Sequence, residues 1–331
     1  RNIYKRKMNP FNFHQSRPGE KQLGDILKKK KDSEGDYVFL IIPEDIGVRA
    51  NGGRPGAAEN SFHFYKAIAT ISCNDFLPSE KFGWTTISLA DLQKESKNYI
   101  YPKDKKELYS LVDKIDKIVF KKIQELLAKG KVPLVLGGGH NNAYPLLKAL
   151  SETNKNKVHA LNLDLHPDCR ELEGRHSGNP FSYAKKNKIL EKYAVLGLQE
   201  LTTNIKSLNH FKTDGNWIYL PFESWAVSGS SSFEQSLNIA LNHVCTNSVF
   251  GLEICADSII DCPSSAGSQH GWSWNKVFNV AYQSAQTQRC QYIHLAEIAL
   301  PLIHSSMQMN VAKSAIAALI AFVKGLETPN F

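Results

Sequence analysis

The chain has 331 residues, 42% of them hydrophobic, which allows one large α/β domain or two ordinary ones. No stretch approaches the roughly 18–20 unbroken apolar residues of a membrane span, and the basic opening Arg1-Asn2-Ile3-Tyr4-Lys5 lacks the apolar run of a secretory signal. The net charge of +8 sits largely in lysine runs (Lys28 to Lys31, Lys103 with Lys105 and Lys106, Lys185 with Lys186); with no aromatic–basic interleaving it reads as solvated faces, so neither a nucleic-acid nor a membrane partner is expected.

In chain order, residues 1–36 are read as an N-terminal extension. Short apolar runs rich in β-branched residues then predict strands at 37–42, 132–136, 158–163, 193–198, 217–220, 248–254 and 291–295. Between them, helical periodicity predicts helices at 105–127, 143–150, 231–244, 274–286 and 312–325. The Gly- and Arg-rich stretch 49–56 is too short to divide domains. Apolar strands alternating with helices predict a single three-layer αβα domain over 37–331, with a mostly parallel, doubly wound sheet. Six cysteines (Cys73, Cys169, Cys245, Cys255, Cys262 and Cys290) lack a CxxC pair. That spacing argues against a disulfide framework or zinc ribbon and for reduced thiols in the cytoplasm.

Ligands of such sheets bind at the carboxyl ends of strands, and three polar motifs fall there. The first is Gly137-Gly138-Gly139-His140, where the glycines allow a tight exit from the strand. A phosphate cradle is the alternative, but the lysine of a P-loop is missing. The second is Asp164-Leu165-His166-Pro167-Asp168, where alternation in an extended segment would turn Asp164, His166 and Asp168 the same way. The third is Cys255-Ala256-Asp257. Carboxylates and imidazoles converging from three strand ends suit a divalent metal.

With these motifs the chain resembles the ureohydrolase (arginase and agmatinase) superfamily, which carries GG-x-H, D-x-H-x-D and a later D-x-D in the same order. The resemblance spans roughly residues 37–325 and is closest to the formimidoylglutamase-like members. It implies the arginase-like fold and two Mn2+ ions per chain. His140, Asp164, Asp168 and position 255 would hold one ion; Asp164, His166, position 255 and Asp257 would hold the other. A metal-bridging hydroxide would attack the carbon of an amidine or guanidinium. The chain departs from the pattern at Cys255, where the family has Asp. Thiolate suits zinc or iron better than manganese, so metal identity and occupancy stay open.

Asp168-Cys169-Arg170 and Ser177-Gly178-Asn179-Pro180-Phe181 are similar to the D-x-R and SGTPF segments of formimidoylglutamases. Arginase-type members have Asn at the place of Arg170 and a proton-shuttle His at the place of Phe181. Arg170 can take a substrate carboxylate through two parallel hydrogen bonds; otherwise it pairs with Glu171 or Glu173. The segment from Asp45 to Ala57 resembles a family loop over the site, which makes Asn51 and Arg54, with Ser177 and Asn179, substrate-side candidates. Glu297 is expected to hold the cationic amidine, and Asp168 and His176 to serve catalysis. The resemblance thus implies a binuclear hydrolase converting N-formimidoyl-L-glutamate to L-glutamate and formamide, a step of histidine degradation, in a protein that is usually a homo-oligomer. The alternatives are a guanidino-compound hydrolase or a non-catalytic member with an impaired centre.

Overall fold

The computed structural model describes residues 9–328. Residues 1–8 of the expected extension and 329–331 of the expected domain lie outside that range. The strands are β1 (Tyr37–Ile41), β2 (Phe82–Thr86), β3 (Val132–Leu136), β4 (Val158–Leu163), β5 (Leu190–Leu198), β6 (Trp217–Pro221), β7 (Phe250–Cys255) and β8 (Cys290–Ala296). They form one sheet in the order β2-β1-β3-β8-β7-β4-β5-β6, and every pair within it is parallel.

A parallel sheet is covered on both faces, so its strands bury alternate residues in two different cores. On β1, Phe39 and Ile41 join one core and Val38 and Leu40 the other. On β4, Leu161 and Leu163 face the first core, and Val158 and Ala160 the second. The second core is closed by helices Lys105–Ala128, Ala143–Asn154 and Pro180–Lys186. Helices Ser61–Ala69, Phe233–Val244, Trp274–Gln286 and Ser305–Glu327 close the first. Ahead of β1, Phe11, Leu23 and Leu27 are buried in that same core. The helix Ser305–Glu327 has the length and composition of a membrane span. Here its Ala315, Leu319, Phe322 and Val323 are buried among core residues, and it packs along Trp274–Gln286.

The expected strands form, with ends shifted by a few residues. β2 escapes a search for apolar runs because Gly83, Thr85 and Thr86 break up its hydrophobicity. Insertion of β7 and β8 between β3 and β4 is also not written in local periodicity. That order reverses the direction of winding beside β3 and makes β3, β8, β7 and β4 consecutive neighbours. The three motif-bearing strand ends and the β8 end that carries Glu297 are thereby brought to one place, as expected at a topological switch point.

Leu252, in the middle of β7, is fully buried. Leu252→Ala is expected to destabilise the fold by about 2–5 kcal/mol, read as a lower denaturant midpoint with unchanged slope.

Candidate metal centre

The β3 exit loop is shaped by glycine. Gly137 and Gly138 have φ of 80° and 73°, a left-handed conformation that costs other residues free energy. The loop is tied to its neighbour: Gly137 N donates to Leu295 O at 2.8 Å and Glu297 N to Gly138 O at 2.9 Å. A buried carboxylate, Glu44, fixes its other side. Glu44 accepts from the backbone of Gly139 and Ile46 and from the side-chain amides of Asn141 and Asn142. This clamp was not foreseen; the only sequence signal is a charge directly after an apolar strand.

The loop delivers His140 fully buried. Its Nδ1 lies 3.2 Å from Asp164 Oδ2 and 2.7 Å from Asp168 Oδ2. Neither contact has hydrogen-bond geometry, and both ring nitrogens stay without a hydrogen-bond partner. Donor atoms bound at about 2.0–2.2 Å to one ion must crowd together in this way. Beyond the imidazole, Nε2 lies 3.6 Å from Glu253 Oε2. Glu253 is bound to His294 Nδ1 and Tyr292 Oη, both at 2.6 Å. Glu253 and His294 were also missed, although an ionisable residue inside an otherwise apolar strand is a readable signal.

The second motif works differently from the expected alternation. β4 ends at Leu163, and the following residues form an irregular loop in which His166 N donates to Asp164 Oδ1 at 3.0 Å. Asp164 is buried, whereas His166 and Asp168 stay partly exposed. His166 Nδ1 approaches Asp257 Oδ2 to 3.5 Å. From the third motif, Cys255 shares a donor group with His140 and Asp164 and another with Asp257 and Glu297; within each group the ligand atoms lie within 4.8 Å of one another. All six expected ligands therefore meet at one place. Asp168 and Glu297 have φ of 40° and 64°, strain of the kind held at functional sites.

Negative charge dominates the electrostatics of the cluster. Burial, with Asp257 and Asp168 nearby, pushes the Glu297 carboxyl up to about 8. Burial opposes charging of His166, yet Asp257 and Asp164 raise it to about 9. A cation between these groups would relieve their repulsion as protons otherwise must.

Above the buried donors lies a cavity of about 300 Å³. His166, Asp168, Asp257 and Glu297 reach its floor; Asn51, Arg54, Arg170 and Ser177 reach its walls. Arg170 Nη1 donates to Asn51 Oδ1 at 3.0 Å, and Asn51 Nδ2 to Ser177 Oγ at 3.3 Å. Glu171 pairs with Lys206 and Glu173 approaches His176, so neither holds Arg170. Arg54 donates to the carbonyls of Ser264 and Ser265. That anchors the loop in which Ser265 Oγ donates to Glu297 and Ala266 N to Asp257. Arg54 thus positions the floor as well as lining the wall.

Two expected site residues fall outside the cavity lining. Asn179 is buried and donates to the carbonyls of Glu171 and Gly174, so it braces the loop rather than meeting a substrate. His176 is also buried and accepts from Gly178 N at 3.1 Å. Burial, then the Arg175 and Arg170 charges, push its imidazole down to about 3, while the Glu173 carboxylate lies 3.4 Å from its Nε2. Phe181 is fully buried, meets His140 edge-on at 5.6 Å and stacks on Tyr193 at 4.3 Å, packing apolar surface against the imidazole.

The chain matches the arginase family model over residues 36–320. A formimidoylglutamase from Chromobacterium violaceum is 29% identical over 170 residues, 50% of this chain and 48% of that protein. Two further formimidoylglutamases match over 51% and 47% of their length, so the chain spans about half the length of these relatives. The solved formimidoylglutamase of Bacillus subtilis superposes with a TM-score of 0.78 at 17% identity, covering 97% of this chain and 96% of that one. The formiminoglutamase of Trypanosoma cruzi, solved with Mn2+, gives 0.74 at 18%, covering 94% and 100%. These likenesses establish the arginase-like fold.

A neutral buried His loses its folding contribution when protonated. With a folded value near 3, the His176 contribution is complete above the unfolded-state value of about 6.5 and is lost as pH falls toward 3. Between about pH 7.5 and 4.5 the metal-free protein is expected to lose about 2–3 kcal/mol more stability than His176→Asn; equal losses in denaturant titrations would contradict this placement.

The family match covers most of the chain and includes all three strand-end motifs, and the chain belongs to the arginase family.

Proposed function

We propose that this protein hydrolyses a C–N bond of a linear amidine, N-formimidoyl-L-glutamate, to give L-glutamate and formamide. The observation that carries this reading is the pairing, in one cavity, of the Glu297 carboxylate on the floor with the Arg170 guanidinium on the wall. A substrate with a delocalised cation at one end and carboxylates at the other matches that polarity. The cavity of about 300 Å³ is at the small end of ligand sites, in keeping with so small a molecule. The names of the Chromobacterium and Bacillus relatives support the same substrate.

His140, Asp164, His166, Asp168, Cys255 and Asp257 would hold two divalent ions, and their buried, converging N, O and S donors fit such a pair. When bound, the ions supply a nucleophile by lowering the pKa of water toward neutrality. Manganese in the Trypanosoma relative supports a divalent centre. Glu297 accepts N–H bonds from the amidinium and holds its carbon over the donor cluster. Arg170, steadied by Asn51 and Ser177, binds a substrate carboxylate. Asp168 would take the proton given up by the attacking water and pass it to the departing nitrogen. Stacked Phe181 keeps water from the His140 side. All six cysteines are free, and we place the reaction in the cytoplasm, within histidine degradation.

Formamide and L-glutamate are the expected products of the metal-loaded enzyme. Glu297→Gln is expected to lower kcat/KM by about 10²–10³ with metal content unchanged. Arg170→Lys is expected to raise KM by roughly 10–100-fold with kcat little altered. Urea from a guanidino compound, or no formamide with any divalent metal, would overturn the reading.

A further inference from the structure

One donor at the centre differs in kind from its neighbours. Cys255 closes β7 and is 1% exposed. It belongs to both donor groups, one with His140 and Asp164, the other with Asp257 and Glu297. The first group offers one nitrogen, one oxygen and one sulfur. Each is an ordinary zinc donor, and three protein ligands with a position left for water or substrate is the arrangement of catalytic zinc. His140 gives a second, independent sign of a ligand. Both its ring nitrogens are buried without a hydrogen-bond partner, although carboxylate oxygens lie as close as 2.7 Å. Nδ1, beside Asp164 and Asp168, is directed at the cluster. On its far side, Glu253 sits 3.6 Å from Nε2 and is itself held by His294 and Tyr292. A carboxylate behind a ligating imidazole fixes the ring and raises its basicity.

We propose that Cys255 ligates through its thiolate together with His140 and Asp164, and that this centre selects a thiophilic divalent ion, zinc in the first place, over manganese. The physical reason is softness. Oxygen donors suit Mn2+, and thiolate sulfur suits zinc or iron. Because Cys255 is the residue common to both donor groups, its preference acts on the whole centre rather than on one edge. The proposal rests on the functional reading above only in assuming a divalent centre; it does not depend on the substrate.

The test uses the full chain stripped of metal and reloaded with Co2+ alone, because sulfur bound to cobalt gives a near-ultraviolet charge-transfer band. The native protein is expected to show the band. Cys255→Asp is expected to bind Co2+ without it, which excludes Cys262 and Cys169 as its source. Competition between Zn2+ and Mn2+ gives the second readout. The zinc-to-manganese affinity ratio is expected to fall by about tenfold or more in Cys255→Asp. Cys255→Ser, nearly isosteric, should lose the band as well, and it keeps the test intact if Cys255→Asp does not fold. A native cobalt complex without the band, or an affinity ratio unchanged in Cys255→Asp, would overturn the proposal. Formamide release by the manganese-loaded enzyme, with no band from its cobalt-loaded form, would sink this inference and leave the proposed reaction standing. The band without formamide under any metal would do the reverse.

Discussion

The structure turns on an excess of buried negative charge at four neighbouring strand ends. Asp164, Asp168, Asp257 and Glu297 converge there, and among the described residues their ion-pair partners are only His140 and His166. Carboxylates taken out of water are costly unless paired or bound to a metal. Protons can neutralise part of this charge, as the upward displacement of Glu297 and His166 shows. A divalent cation would do so while leaving the carboxylates ionised. The same demand accounts for the rigidity around the cluster. Asp168 and Glu297 are held in left-handed backbone, at a cost of roughly 1–3 kcal/mol each. The buried Glu44 clamp and the backbone bonds between the β3 and β8 exits resist relaxation.

Much of this was legible in the sequence, for reasons that differ by element. β4 and β7 are continuous apolar runs because both their faces are buried, and such runs stand out without any partner being known. The metal motifs stood out because polar residues cluster directly after those runs. Strand order is another matter. Nothing local to β7 or β8 says that they insert between β3 and β4, since pairing is a property of the whole sheet. Likewise, alternation was the wrong reason for grouping Asp164, His166 and Asp168. Their loop bends back through the His166–Asp164 hydrogen bond, and the grouping survives because three strand ends face the same space.

Roles within the loops were the least legible. Ser177, His176 and Asn179 are near neighbours in sequence, yet only Ser177 reaches the cavity. His176 and Asn179 turn inward, where bonds to Gly178, Glu171 and Gly174 hold the loop that presents Arg170 and Ser177. A turn sequence fixes spacing, while the direction of each side chain depends on what packs beneath it. Glu253, His294 and Tyr292 illustrate the opposite case. They lie on strands, so their burial was readable, but their mutual contacts needed the β7–β8 register. Together they set a carboxylate behind His140, and the donor cluster and its support are built from adjacent strands. The cavity above inherits a polarity from this arrangement: acid below, arginine at the wall.

The most direct test of a divalent centre is metal stoichiometry by elemental analysis, after stripping the full chain and reloading it separately with zinc and with manganese. Near two ions per chain retained through desalting, with one or both metals, is the expected result. Near zero with both metals in excess would contradict the account, because the converging carboxylates would then be balanced by protons alone.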